Sequence, residues 1–294
     1  MEVCSVIKSA IANGLQVHVV GGNVNQSEIL GRTVSREYAR RLATLGPDTL
    51  VVGLDGGDTL LAAGATPAEW HRRFSSFGAD FVWSGENNMY PSFVDLPPRV
   101  KEKYPGQWPA DWKAWEGDPP DKGRWKRPPY PYLNYGGWIA RAGRALEVMH
   151  AAAAYVAPCA PANETLHPPG GCLAQHDQHA AQLALVDPVC MADPQDEAHC
   201  VIDVYASVFY SGHLHCEGLV PHADGSWSNT LSGNKPLVAH FNGGAKTACE
   251  HLGVKSYMYS RKTGWYHRVK LDRQTPIYVE GGPTPYGQLC PAEV

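Results

Sequence analysis

The sequence predicts an α/β fold with a mostly parallel central sheet and flanking helices, and three observations predict it. Leu50-Val51-Val52-Gly53-Leu54 is an apolar run of strand length closed by Asp55-Gly56-Gly57-Asp58. Runs of this kind mark strands buried on both faces of a parallel sheet. As far as Trp83 the chain alternates helix-like and strand-like segments, the order from which right-handed crossovers build such a sheet. Asp55 and Asp58 then fall at the carboxyl end of the run, the edge at which open α/β sheets bind ligands.

Each element has its own signal. Glu2 to Asn13 carries apolar residues at helical spacing and stops at Asn13-Gly14, while Leu15 to Val20 alternates as a strand does. Arg32 to Leu45 reads as a basic amphipathic helix whose arginines form a solvated face, or of which Arg32, near the helix start, reaches a phosphate. Thr66-Pro67-Ala68-Glu69 is a capping box with proline at the first helical position; it opens a helix to Phe77, and the strand Ala79 to Trp83 follows. Pro91 to Pro131 breaks this rhythm with many prolines and with Trp108, Trp112, Trp115 and Trp125, and it is read as an insert whose rings stack on sugars or cover an apolar patch.

Tyr132 to Ile139 reads as a short strand in which Gly136 and Gly137 either admit a ligand close to the backbone or mark a bulge. Arg141 to Val156 is an alanine-rich helix, and Gln175 to Leu183 opens another with Asp177 in its first turn, where an acid suits the helix dipole. Strands are expected at Val201 to Tyr205, Ser207 to Tyr210 and Lys235 to Ala239. His213 and His215 share one strand face, as metal ligands or as surface residues. At the end of the last strand, His240-Phe241-Asn242-Gly243-Gly244-Ala245-Lys246 makes a phosphate and metal corner.

Composition narrows the function classes. A chain of 294 residues with 44% hydrophobic content can bury a large core, and no break in composition calls for a second domain. The formal net charge of −4 and the lack of a Lys/Arg stripe give no footprint for nucleic acid. No apolar stretch is long enough for a membrane span, and Met1 to Gly14 lacks the pattern of a signal peptide. The eight cysteines form no Cys-x-x-Cys pair, so they are disulfides of an oxidising compartment or buried thiols rather than a structural zinc site. Asn25-Gln26-Ser27 and Asn163-Glu164-Thr165 fit the glycosylation pattern, and together these features lean toward the endoplasmic reticulum lumen.

The pair Asp55 and Asp58 carries the chemistry. Two carboxylates three residues apart across a Gly-Gly turn can converge on Mg²⁺ or Mn²⁺ and leave positions for phosphate oxygens and water; alternatively they cap backbone N–H groups. Taken in order, Asp55-Gly-Gly-Asp58, Tyr132-Leu-Asn134-Tyr-Gly136-Gly137, Asp177-Gln178 and His240-Phe-Asn242-Gly243-Gly-Ala-Lys246 resemble the glycosyltransferase domain of the procollagen lysyl hydroxylase/glucosyltransferase family, from the first helix to Gly253. The resemblance implies a single GT-A domain with a Rossmann-like sheet. It implies Mn²⁺ and a UDP-sugar, and transfer of glucose or galactose, with retention, to a hydroxyl acceptor such as glycosylated hydroxylysine of a collagen-like protein.

Carried over by position, Asp55, Asp58 and His240 match the family's metal ligands, and Asn242, Gly243 and Lys246 match its donor phosphate segment. Arg32 falls where a basic residue faces the donor, and Asn134, Gly136 and Gly137 match a sugar-side strand. Asp177 matches an acid of the acceptor pocket, His176 stands in place of the acid adjacent to it, and Tyr90 takes the place of an aromatic that closes over the pocket. Gly57 replaces an aromatic that stacks on uracil, and the chain starts at the helix after the family's first strand. Two other readings come from different classes. Gly57-Asp58, Gly85-Glu86-Asn87 and Gly212-His213-Leu214-His215 are loosely similar to two-metal phosphoesterase sites. A sugar- or collagen-binding module without turnover is the other.

Overall fold

The computed structural model describes residues 3–21, 30–87, 128–155, 177–185, 187–190, 199–212, 216, 218–243, 245 and 265–291. It is a mixed α/β structure with several sheets. The helices are α1 (Val3–Ala12), α2 (Leu30–Leu42), α3 (Pro67–Ser75), α4 (Ala142–Tyr155), α5 (Asp177–Ala184) and the short α6 (Tyr286–Leu289). The strands are β1 (Leu50–Leu54), β2 (Thr59–Leu61), β3 (Phe81–Glu86), β4 (Tyr132–Arg141), β5 (Cys200–Asp203), β6 (Phe209–Ser211), β7 (Leu219–Pro221), β8 (Trp227–Asn229), β9 (Val238–His240), β10 (Pro276–Val279) and β11 (Gly282–Pro285).

The central sheet has the order β1-β4-β3-β5, and only its β3–β5 pair is parallel. This corrects the expectation of a mostly parallel sheet. β1 and β3 do run in the same direction, but β4 lies between them and pairs antiparallel with both. Helix–strand alternation up to Trp83 carries no information about a strand that arrives later in the chain and enters in reverse. A second sheet, β2-β9-β6, combines an antiparallel and a parallel pair. The strand expected at Leu15 to Val20 reduces to one bridge, His18 with Tyr278 of β10.

Alternation along the strands sorts the core onto two faces. Phe81 and Trp83 of β3 join Trp138 and Ala140 of β4 against Ala145, Val148 and Met149 of α4 and Ala181 of α5. Val82 and Ile139 point the other way, to Val6 of α1, Trp70 and Phe74 of α3, and Phe209 and Val238 of the second sheet. The buried stripe Ala142, Ala145, Val148, Met149 and Ala152 recurs at helical spacing, and its alanines let α4 lie close on the sheet. Gly53 is required here, because a Cβ on it would stand 2.1 Å from the Trp138 ring. Removing that indole would cost about 3–5 kcal/mol, the usual range for a buried Trp→Ala.

The cap of α3 is present as expected. The Thr66 side chain accepts a hydrogen bond from the Glu69 N–H, and Pro67 occupies the first turn. The Glu69 carboxylate turns to Arg72 and Arg73, so only half of the capping box closes. Of the two readings of the cysteines, disulfides hold for Cys4–Cys290, which ties the two ends of the described chain, and for Cys190–Cys200, which ties the segment after α5 to β5.

Candidate metal centre and adjoining cleft

Strand register assembles the centre. Asp55 follows the last residue of β1, and its N–H donates to the Gly136 carbonyl at 3.0 Å, which holds it against β4. Asp58 directly precedes β2, whose first residue, Thr59, pairs with His240 of β9, and the Phe241 N–H donates to the Asp58 carbonyl at 2.8 Å. The His240 Nε2 therefore lies 3.4 Å from Asp55 Oδ2 and 3.3 Å from Asp58 Oδ1. These three residues can hold a metal ion, since one ligand atom from each falls within 4.8 Å of the others. The site is closed on one side and open on the other: His240 and Asp58 are buried, whereas the Asp55 side chain is 53% exposed.

The imidazole is oriented for this role. His240 Nδ1 faces the Asn134 Oδ1 at 3.0 Å and the Ser211 hydroxyl at 3.4 Å. An amide oxygen only accepts, so Nδ1 carries the hydrogen and Nε2 is directed at the carboxylates, where it makes no hydrogen bond of its own. A buried nitrogen without a hydrogen-bond partner, beside two carboxylate oxygens, is a donor set that can hold a divalent ion with mixed N/O preference.

Without a cation a proton takes its place. Burial opposes charge on His240, but the Asp55 and Asp58 carboxylates outweigh it and raise the pKa to about 10. The folded value thus lies above the ordinary 6.5. In EDTA the stabilisation from this charge is fully present below pH 6.5 and is lost as the pH rises through about 10. Metal and proton compete for one site, so Mn²⁺ affinity is expected to rise with pH across that window, with about one proton released per ion bound. Titration calorimetry in buffers of different ionisation enthalpy measures that number; a pH-independent affinity would contradict it.

Gly136 is a steric condition of the centre. A Cβ on it would lie 2.1 Å from His240 Cε1 and 2.8 Å from Asp55 Oδ2, so only glycine lets the two ligands meet across β4. It is brought there by a shift in the β3–β4 register, where Trp83 pairs with Trp138 but Ser84 pairs with Asn134. Tyr135, Gly136 and Gly137 are thereby released from β3, the bulge that the sequence left open. Gly137 itself packs against Phe209 and Ser84.

A cleft of about 390 Å³ is lined by Asp55 and His240 together with Glu86, Asp177, Asn242 and Gly243. Asp177 sits at the start of α5, and its Oδ1 accepts the Gln178 N–H at 2.7 Å. Glu86, which the sequence suggested only within the phosphoesterase reading, also lines this cleft. It is buried, and burial raises its pKa to about 7 against hydrogen bonds from Gln178 and Asn242. The available signal was a lone acid closing a buried strand, at an edge where ligands bind. Asn134, Gly136, Asn242, Gly243 and Asp177 thus converge with Asp55 and His240 on one cleft. Tyr90, His176, Lys246, His213 and His215 lie outside the described residues, as does the side chain of Arg32, whose backbone is in α2.

No protein-family model matches the chain, and no curated protein matches its sequence.

Proposed function

We propose that the protein is a metal-dependent glycosyltransferase with a GT-A architecture that takes a UDP-sugar, glucose or galactose, and transfers the sugar with retention to a hydroxyl acceptor, such as glycosylated hydroxylysine of a collagen-like protein. The observation that carries this reading is the meeting of Asp55, Asp58 and His240 beside a cleft that Asp55 and His240 line together with Asp177, Asn242 and Gly243. They belong to the motifs that resemble the procollagen lysyl hydroxylase/glucosyltransferase family and come from three separated stretches of the chain.

Mn²⁺ in this site would supply positive charge against a diphosphate leaving group. Asp55, Asp58 and His240 would hold it, with the exposed side at Asp55 left for phosphate oxygens and water. Gly243, at φ +55°, turns the chain after β9 on the cleft wall, and Asn242 and Gly243 would lie beside the donor phosphates. In the reaction the bond from sugar C1 to the diphosphate oxygen breaks and one from C1 to the acceptor oxygen forms on the same face. The acceptor proton passes to the departing UDP. Asp177, on the same cleft wall, would accept a hydrogen bond from the acceptor hydroxyl and align it. The acidic wall, with Asp55, Glu86 and Asp177, favours neutral polyhydroxyl or cationic acceptors over anionic ones. The disulfides fit an oxidising compartment such as the endoplasmic reticulum lumen. No described helix is long and apolar enough to cross a membrane.

A thermal-shift comparison of UDP, UDP-glucose and UDP-galactose with Mn²⁺ and with EDTA tests this reading. A ligand at about a hundred times its Kd stabilises the folded state by about 2.7 kcal/mol, which raises the melting temperature of a chain this size by several degrees. That shift is expected with Mn²⁺ and not with EDTA. Equal shifts in both would remove the metal from the donor site, and binding without transfer to any hydroxyl acceptor would favour the binding-module reading.

A further inference from the structure

We propose that Asn134 is a positioning residue of the metal centre: anchored by the buried Glu86, it accepts the Nδ1–H of His240 and so holds the ring with Nε2 directed at Asp55 and Asp58. The proposal rests on the metal-site reading above and assigns Asn134 away from the donor sugar. Asn134 is 2% exposed and lies 106 residues from His240 in the chain.

Its two ends are each committed. Oδ1 accepts from His240 Nδ1 at 3.0 Å and from the Gly136 N–H at 3.0 Å, while Nδ2 donates to Glu86 Oε2 at 3.2 Å. A flipped amide would set its NH₂ against two donors and its oxygen against a carboxylate, so the orientation is fixed from both sides. Glu86 is itself held by other amides: Oε1 accepts from Gln178 Nε2 at 2.5 Å and Oε2 from Asn242 Nδ2 at 2.8 Å. The oxygens of those amides are committed as well, Gln178 Oε1 to the Tyr135 N–H and Asn242 Oδ1 to the Ser211 hydroxyl. The chain Glu86–Asn134–His240 thus fixes, before any ion arrives, that Nε2 is the nitrogen facing the carboxylates and the one that gives up its proton to an ion. Groups behind a ligating histidine act in this way, and losing one lowers metal affinity about 10–100-fold.

The test is Mn²⁺ affinity by titration calorimetry on the full chain. Asn134→Leu removes the acceptor behind His240 and is expected to weaken Mn²⁺ about 10–100-fold while the protein stays folded. The exchange Asn134→Asp with Glu86→Gln reverses donor and acceptor across the same bond and keeps an oxygen on Nδ1–H. The Ser211 hydroxyl can donate or accept, so it tolerates the accompanying turn of Asn242. This double variant is expected to recover affinity to within about threefold of the wild type, which a purely structural role of the pair does not predict. In the zinc-loaded wild-type protein, a slowly exchanging His240 Nδ1–H resonance is expected, and it should be lost in Asn134→Leu. Wild-type affinity in folded Asn134→Leu overturns the positioning role and leaves the metal site standing. Absence of Mn²⁺ binding by the wild type overturns both. Should Asn134→Leu fail to fold, the exchange variant decides, and a loss of tenfold or more in it overturns the role.

Discussion

Asp58→Ala is expected to abolish Mn²⁺-dependent donor binding and to lower sugar transfer by about a thousandfold or more, because a metal held against a leaving diphosphate contributes several kcal/mol to the transition state. Asp58 carries this weight for a geometric reason. It is nearly buried, its Oδ1 stands 3.3 Å from His240 Nε2, and its carbonyl is pinned by the Phe241 N–H. A water molecule entering in its place cannot reproduce a fixed anionic ligand. Release of UDP from UDP-sugar, followed with and without acceptor at saturating Mn²⁺, measures the loss. A rate within tenfold of the wild type, from protein with an unchanged melting profile, would remove Asp58 from the metal centre.

Asp177→Asn separates chemistry from binding. The substitution keeps size and shape and removes charge at the start of α5, on the cleft wall beside the metal ligands. If Asp177 aligns the acceptor hydroxyl, kcat is expected to fall about a hundredfold with donor KM little changed, the loss typical of a positioned acid or base. An acid that served only the helix dipole would cost about 0.3–1 kcal/mol of stability and leave turnover per folded molecule alone. Both quantities, read on one preparation, decide the matter: near-normal kcat with a small drop in melting temperature takes Asp177 out of the site.

What the sequence revealed, and what it hid, follows from the range of each interaction. The turn carrying Asp55 and Asp58 was legible because an apolar strand run must end somewhere, and the acids stand where it ends. The cap at Thr66 was legible because it closes within four residues. The direction of β4 was not, since strand-like composition is the same in either direction and pairing is decided by partners far along the chain. The register shift opposite Ser84 was open for the same reason: two glycines permit a bulge but do not require one. Gly136 therefore read either as a place for a ligand to approach or as part of a bulge; it sits in the bulge, lines the cleft and is also closely approached by His240 and Asp55. Glu86 and Asn134 acquire their meaning only across the fold, from amides that arrive on β4, α5 and the turn after β9.

Asp55, Asp58 and His240 are expected to hold one divalent ion together. Crystals of the protein soaked in Mn²⁺ and measured for anomalous scattering test it most directly. The expected result is a single strong peak within bonding distance of His240 Nε2 and one carboxylate oxygen from each of Asp55 and Asp58, absent from crystals of the Asp58→Ala variant treated identically. A site that stays empty at saturating Mn²⁺, or a peak bound elsewhere in the cleft with these three residues unengaged, would contradict the account.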